Sequence, residues 1–329
     1  MRDGAAAPSR SWTFREILAA RKQNRHTNWI GDAPESAASR LSSGDIVTIG
    51  VSPKFKIPAG ATIFTIGSCF ARNIEEHLVA VGFDVPTARF SLPPEAYTGA
   101  VRPNGALNKY NTHSIESEIM FALEGSGASD DGLIEYGGQW FDPLSTNTRS
   151  GPLDMVRGIR RKIADTTSEV RNADAIVITL GLNEVWRDNE TGVYLNAMPP
   201  HDAIRRAPSR FSIEISDLDS NVATLRRSIE MIRKHSAKDC RFIVTVSPVP
   251  MGATLTGMDV IVANTLSKSM LRVCAQTVCD AYDFVDYFPS YEMVMNSPPA
   301  RTWSDDRLHV RSDVVGVVAK HFLDNYVED

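Results

Sequence analysis

Three short apolar runs that do not alternate restrict the fold more than any other feature of this chain. Ile63–Ile66 (IFTI), Ala175–Leu180 (AIVITL) and Arg241–Val246 (RFIVTV) are brief and β-branched. A strand with one wet face would alternate, so these runs suit strands covered on both faces, as in a parallel sheet. Around them the apolar spacing lengthens to that of a helix. Asn73–Gly82 carries Ile74, Leu78 and Val81 on one side and stops at a glycine, while Leu218–His235 spaces Val222, Leu225, Ile229 and Ile232 helically. Asp259–Ala281 and Ser312–Tyr326 are further helix candidates. Strands alternating with helices predict an α/β domain with a central, mostly parallel sheet. Residues 83–150 are rich in Pro and Gly with weak periodicity, and are expected to make a long excursion over one end of the sheet. Residues 1–50, with one helix from Trp12 to Gln23, are expected to form an N-terminal extension to a domain spanning 51–329. No internal repeat or low-complexity tract is visible.

Composition narrows the partners. The 329 residues are 43% hydrophobic and 23% charged, enough for a sizeable core. A net charge of −5 gives no basic surface, so nucleic acid is not expected as a partner. No stretch approaches ~18 consecutive apolar residues, which predicts no membrane span. The N-terminus has no apolar segment between its charges and does not read as a secretory signal. Four cysteines, Cys69, Cys240, Cys274 and Cys279, match no zinc spacing and are too few for a disulfide scaffold. They read as free thiols of a reducing, cytoplasmic protein. Seven histidines without paired spacing predict no metal site.

Ligands of open parallel sheets bind beyond the carboxyl ends of the strands, so the residues after each apolar run belong together. Gly67-Ser68-Cys69 follows Ile66, Gly181-Leu182-Asn183-Glu184 follows Leu180, and Ser247-Pro248-Val249-Pro250 follows Val246. Ahead of the last helix stands Ser304-Asp305-Asp306-Arg307-Leu308-His309. These segments supply a nucleophile, an amide, and a carboxylate with an imidazole, the inventory of acyl transfer. A nucleophile on a strand-to-helix turn faces a helix N-terminus, which would lower the Cys69 thiol pKa. A free cysteine is also commonly a small buried hydrophobe, and position alone leaves both readings open. Asn183 can aim its amide at an oxyanion or serve as a turn residue. Asp306, three residues before His309, can fix the imidazole tautomer.

The string Gly67-Ser68-Cys69-Phe70-Ala71 resembles the signature of the GSCFA domain family. Companion segments support the likeness: PKFKI before the first strand, NKYNTHSI at 108–115, TLGLNEVW at 179–186, VTVSPVP at 244–250 and DDRLHV at 305–310. The resemblance covers roughly residues 50–326 and implies kinship to the SGNH (GDSL) hydrolases, hence a flavodoxin-like three-layer α/β sandwich. By position it implies that Asn183 is an oxyanion donor and that Asp306 and His309 are the terminal dyad. Gly105, in RPNGALNKYN, is the candidate for a further backbone donor. Aligning Gly-Asp-Ser of those hydrolases with Gly67-Ser68-Cys69 puts Cys69 at the nucleophile position, with Ser68 as the alternative.

A thiolate forms a thioester, which is activated towards amines and alcohols and exchanges with thioester donors. The resemblance with this substitution implies an O-acyltransferase acting on a carbohydrate or glycolipid hydroxyl. Its co-substrate would be acetyl-CoA or another acyl thioester, with no bound cofactor. Two alternatives stand beside it: an esterase removing acyl groups from a glycan, and a non-catalytic binding module of the same fold. Gly67, Arg72, His113, Glu184 and Trp186 are candidate substrate contacts, although a surface role for Arg72 and a core role for Trp186 suit those residues as well. Asn73 and Lys109 can bind an anion near the first helix or remain solvated, His77 reads as a helix-surface residue, and Lys268 has no assigned role. The oligomeric state is not legible.

Overall fold

The three apolar runs do form parallel strands, and a fourth joins them. The computed structural model describes residues 11–98, 102–125 and 132–328. Strands β1 (Ile63–Gly67), β4 (Ala175–Leu180), β8 (Arg241–Val246) and β9 (Val285–Tyr287) pair in the order β1-β4-β8-β9, all parallel. A single parallel bridge, Thr62 to Asp84, lays the chain after the first helix along the outer edge of β1. Counting that bridge as a rudimentary second strand gives the order 2-1-3-4-5, the flavodoxin-like winding.

Strand alternation divides the core. Phe64, Ile66, Ile176, Ile178, Phe242 and Val244 face one layer, made by α4 (Thr112–Glu124), α7 (Leu218–His235) and α8 (Val260–Ala281). Ile63, Ala175, Val177 and Ile243 face the other, made by α3 (Cys69–Ala80), α9 (Ser290–Met295) and α11 (Ser312–Tyr326). The result is the expected three-layer α/β sandwich. Helix α3 begins at Cys69 rather than Asn73, because Ser68 caps it.

The excursion is more ordered than its composition predicts. Helix α4 lies inside it, and its apolar pattern is masked by buried polar residues Thr112, His113, Ser114 and Glu118. The stretch before α4 winds through short 3₁₀ turns, including Gly105–Leu107, which accounts for the weak periodicity. A hairpin, β2 (Ile134–Tyr136) and β3 (Gln139–Phe141), precedes α5 (Leu153–Ser168). Strands β5 (Glu184–Asp188), β6 (Tyr194–Leu195) and β7 (Phe211–Ile215), with α6 (His201–Arg206) between the last two, build a small antiparallel sheet that shares an apolar cluster with the β2–β3 hairpin.

At the N-terminus, α1 (Phe14–Gln23) buries none of its residues and α2 (Ala37–Ser42) none of its own. Val47 and Ile57 do enter the core. Lys54 donates its ammonium protons to the carbonyls of Cys279, Tyr282 (3.0 Å) and Val285 (2.8 Å), across the turn from the end of α8 to the start of β9. Helix α10 (Pro299–Thr302) leads into the loop before α11.

Candidate active site

The sheet order reverses between β1 and β4, and crevices form at such switch points. Here two backbones approach closely. Gly67 has φ +131°, and a Cβ built on it would lie 2.1 Å from the Thr179 carbonyl oxygen, so no side chain fits. That contact lets the Ser68 N–H donate to Thr179 O at 3.1 Å. The chain then turns at once into α3. Ser68 is the N-cap, 3% exposed, its hydroxyl accepting the Phe70 N–H. Cys69 is the first helical residue and borders a cleft of about 230 Å³.

The cleft gathers strand ends that are far apart in sequence. Gly181 and Leu182 come from the end of β4, Ser247, Val249, Pro250, Met251 and Gly252 from the end of β8, and Tyr110 from the excursion. Leu308 and His309 close it from the loop before α11. In that loop Arg307 adopts φ +55°. With that turn, the backbone N–H groups of Leu308 and His309 both donate to Asp306 Oδ1, at 2.9 and 3.0 Å. The other carboxylate oxygen lies 2.6 Å from His309 Nδ1. These contacts, the His309 ring foremost, hold the Asp306 carboxyl well below the usual carboxylate range. An ionised Asp306 accepts from Nδ1–H, which leaves Nε2 as the basic nitrogen.

Burial pushes the Cys69 thiol pKa up, against the opposing pull of Lys268 and of the Cys69 and Phe70 backbone N–H groups. This corrects the expectation drawn from the helix N-terminus: desolvation outweighs the dipole. Lys268, on α8, is wholly buried and donates to Gly181 O at 2.8 Å. Burial lowers its pKa to about 7. The Ser247 hydroxyl is 1% exposed and has no hydrogen-bond partner among the described residues.

Several expected contacts fall elsewhere. Asn183 does not line the cleft: its side-chain amide points to Met270 Sδ at 3.6 Å, and its backbone N–H donates to Ser267 Oγ. Gly105 spends its N–H on Arg102 O at 2.9 Å, inside a 3₁₀ turn, so it has no donor to offer. Arg72 is 1% exposed and pairs with Glu75 at 2.6 Å, so it is neither a surface cation nor a substrate contact. His113 stacks on Tyr194 and lies 3.0 Å from Ser216 Oγ, away from the cleft, with its pKa lowered by burial. Trp186 packs in the small sheet's apolar cluster. Glu184 accepts from the Thr254 hydroxyl and the Leu255 N–H, pinning the loop after β8 that carries Val249–Gly252. Gly67 acts through its missing side chain. Lys109 pairs with Glu118 inside the molecule.

Ser247 and Tyr110 in the cleft lining, and Lys268 behind it on the Gly181 carbonyl, are groups to which the sequence assigned no role. A signal for Lys268 existed: Ser267 and Lys268 interrupt the stripe Ala263, Leu271, Cys274, Ala275 and Val278, all buried along α8. A lysine at a core position of an amphipathic helix is an anomaly readable without a structure. Ser247 follows a strand, where serine is too ordinary to notice.

Fold and site together define a flavodoxin-like α/β protein with a cysteine, a histidine and an aspartate at its switch point. Residues 62–322 match the profile of the GSCFA family, and the chain belongs to that family. No curated protein matches the sequence. Among solved structures, a family 3 carbohydrate esterase of Clostridium thermocellum is similar at 10% identity, covering 80% of this chain and 94% of its own, with a TM-score of 0.33. A likeness that slight assigns no activity. Among the described residues, no helix is long and apolar enough to cross a membrane.

Proposed function

We propose that the protein is an acyl-transfer enzyme with Cys69 as nucleophile. The observation that carries this reading is the His309 ring, held by Asp306 at 2.6 Å, in the wall of the same cleft as Cys69. Because burial raises the thiol pKa, ionising the cysteine calls for a base, and His309 Nε2 is the basic group the cleft presents. His309 takes the Sγ proton as sulfur attacks the acyl carbonyl, and returns it to the departing thiolate or alkoxide. The acyl group rests on Cys69 as a thioester. An acceptor hydroxyl then loses its proton to His309 and attacks the thioester, and Cys69 leaves and is reprotonated. Asp306 stays ionised and orients the ring throughout.

With Asn183 and Gly105 turned away, the donors left for the oxyanion are the Cys69 N–H and the unpartnered Ser247 hydroxyl. Removing one such donor costs about 10²–10³ in turnover. Ser68 is the less suited nucleophile, because its hydroxyl is buried and engaged in the cap. The favoured donor is an acyl thioester such as acetyl-CoA, since thiolates exchange readily with thioesters, and the favoured acceptor is a carbohydrate or glycolipid hydroxyl. Hydrolysis is the second reading. The His309 side chain is 58% exposed, which admits water as the acceptor.

Intact-mass spectrometry after incubation with acetyl-CoA or p-nitrophenyl acetate tests this. An acetyl adduct should form on the wild type and on Ser68→Ala, and vanish from Cys69→Ala and His309→Ala. An adduct lost only with Ser68→Ala would overturn the assignment. No adduct from either donor would favour a binding module.

A further inference from the structure

We propose that Lys268 is the counter-ion of the Cys69 thiolate: a positioning residue that sets the ionisation of the nucleophile from the far side of the β4 end. The proposal rests on Cys69 being the reactive group of the cleft, but not on what it reacts with.

The geometry is a stack across one strand end. Cys69 stands on the α3 side of β4, where Ser68 is bonded to Thr179. Lys268 approaches from α8, on the opposite layer, and its Nζ reaches the carbonyl of Gly181, two residues past Thr179. Gly181 and Cys69 line the same cleft. Ser267, the neighbour of Lys268, holds the Asn183 N–H at 3.1 Å, and Asn264 Oδ1, one turn earlier on α8, accepts from the cleft residue Met251 at 3.2 Å. Three positions of one helix therefore grip two of the cleft walls.

An ammonium taken out of water requires an anion or a full set of acceptors. Lys268 has one carbonyl and no carboxylate within ion-pair distance among the described residues. Gly181, which it holds, lines a cleft with no carboxylate, and of the two lining side chains able to take a negative charge, Cys69 and Tyr110, the thiol is the more acidic. The other groups that face Cys69 are already balanced or neutral. Arg72 is paired with Glu75, Arg102 with Glu76 at 2.6 Å, and His309 with Asp306. Tyr110 has its pKa raised by burial and stays protonated. Lys268 is the cation left uncompensated, and the thiolate is the charge that would complete it. The lowering of Lys268 and the raising of Cys69 by burial are two sides of this, since ionisation of either favours the charged form of the other.

The test is the pH profile of iodoacetamide alkylation at Cys69, located by peptide mass spectrometry, in the full-length protein. Lys268→Met, with its fold checked by circular dichroism, should alkylate about tenfold or more slowly near pH 6.5, where the wild-type lysine still carries its charge, because a shift of one pKa unit changes the thiolate fraction about tenfold. Lys268→Arg, which keeps the charge, should stay within a few-fold of wild type. A folded Lys268→Met that alkylates at the wild-type rate with an unchanged profile overturns the proposal. Should Lys268→Met not fold, the reciprocal measurement decides: the Lys268 amine, followed by NMR of ¹⁵Nζ-lysine, should titrate lower in Cys69→Ala than in wild type. Coincident titrations would overturn the pairing. A Lys268-dependent profile in a protein that never forms an acyl adduct would sink acyl transfer and leave the counter-ion in place.

Discussion

Among the described residues, four lysine and arginine side chains are buried, and they differ in what faces them. Arg72 meets Glu75, Lys109 meets Glu118 at 2.9 Å and the Leu144 carbonyl at 2.7 Å, and Arg160 Nε meets Asp142 at 2.8 Å. Lys268 meets one peptide carbonyl. The first three are closed pairs with near-zero net charge, and they fasten elements together: Lys109 ties the excursion to α4, and Arg160 ties α5 to the chain after β3. The fourth is an open charge that holds a wall of the cleft bordered by Cys69. Burial depth is the same in both cases, so depth says little about role. What separates a fastener from a tuned group is whether its charge is matched within the fold.

Breaking a closed pair should give the largest effect. Lys109→Met leaves the Glu118 carboxylate buried without a cation, holding only the Thr167 hydroxyl, and should destabilise the protein by about 3–5 kcal/mol in urea unfolding. The open charge should respond with the opposite sign. Lys268→Met removes an unmatched buried ammonium, and at pH 7 should raise stability by about 1–4 kcal/mol, while slowing the thiol. A loss of stability as large as that of Lys109→Met would mean Lys268 is a fastener after all.

The pH dependence sharpens this further. Below pH 7 Lys268 is charged whether the chain is folded or not, so its burial penalty is fully present. Between about 7 and the ordinary 10.5, the unfolded chain holds the proton and the folded chain does not, so stability should rise with pH. The gain is at most about 1.4 kcal/mol per pH unit and should be absent from Lys268→Met. The smallest effect belongs to the wet counterpart. Arg102 and Glu76 pair at 2.6 Å with both side chains exposed, so Glu76→Gln should move stability by less than about 1 kcal/mol.

The layered core was legible because buried strands and amphipathic helices write their pattern in apolar residues. Ile63–Ile66, Ala175–Leu180 and Arg241–Val246 all became neighbours in the sheet. Helix α4 was not, because its buried face carries Thr112, His113 and Glu118, which hide the period. Within the site, Ser68, Cys69, Asp306 and His309 stood out through order and spacing, and the structure brings Ser68, Cys69 and His309 to one cleft, with Asp306 behind the ring. Asn183 and Gly105 failed for a different reason. Both sit on the right segments, but the direction of a side chain or an N–H depends on local hydrogen bonds, here to Met270 and to the Arg102 carbonyl. Lys268 was readable as an anomaly, but its target lies on another layer, which no local pattern encodes.

The ammonium of Lys54, fixed to three carbonyls where α8 ends, has a mechanical consequence for the cleft. Helix α8 is 22 residues long, roughly 33 Å of nearly inextensible rod. Clamped at its far end, it cannot slide along its axis. Slippage by a single residue would carry Lys268 about 1.5 Å along that axis, enough to break its contact with Gly181. A lysine only four positions beyond the expected extension of residues 1–50 thus works as an end-stop for the surroundings of Cys69, and a chain shortened past it would lose alignment at a cleft it never touches.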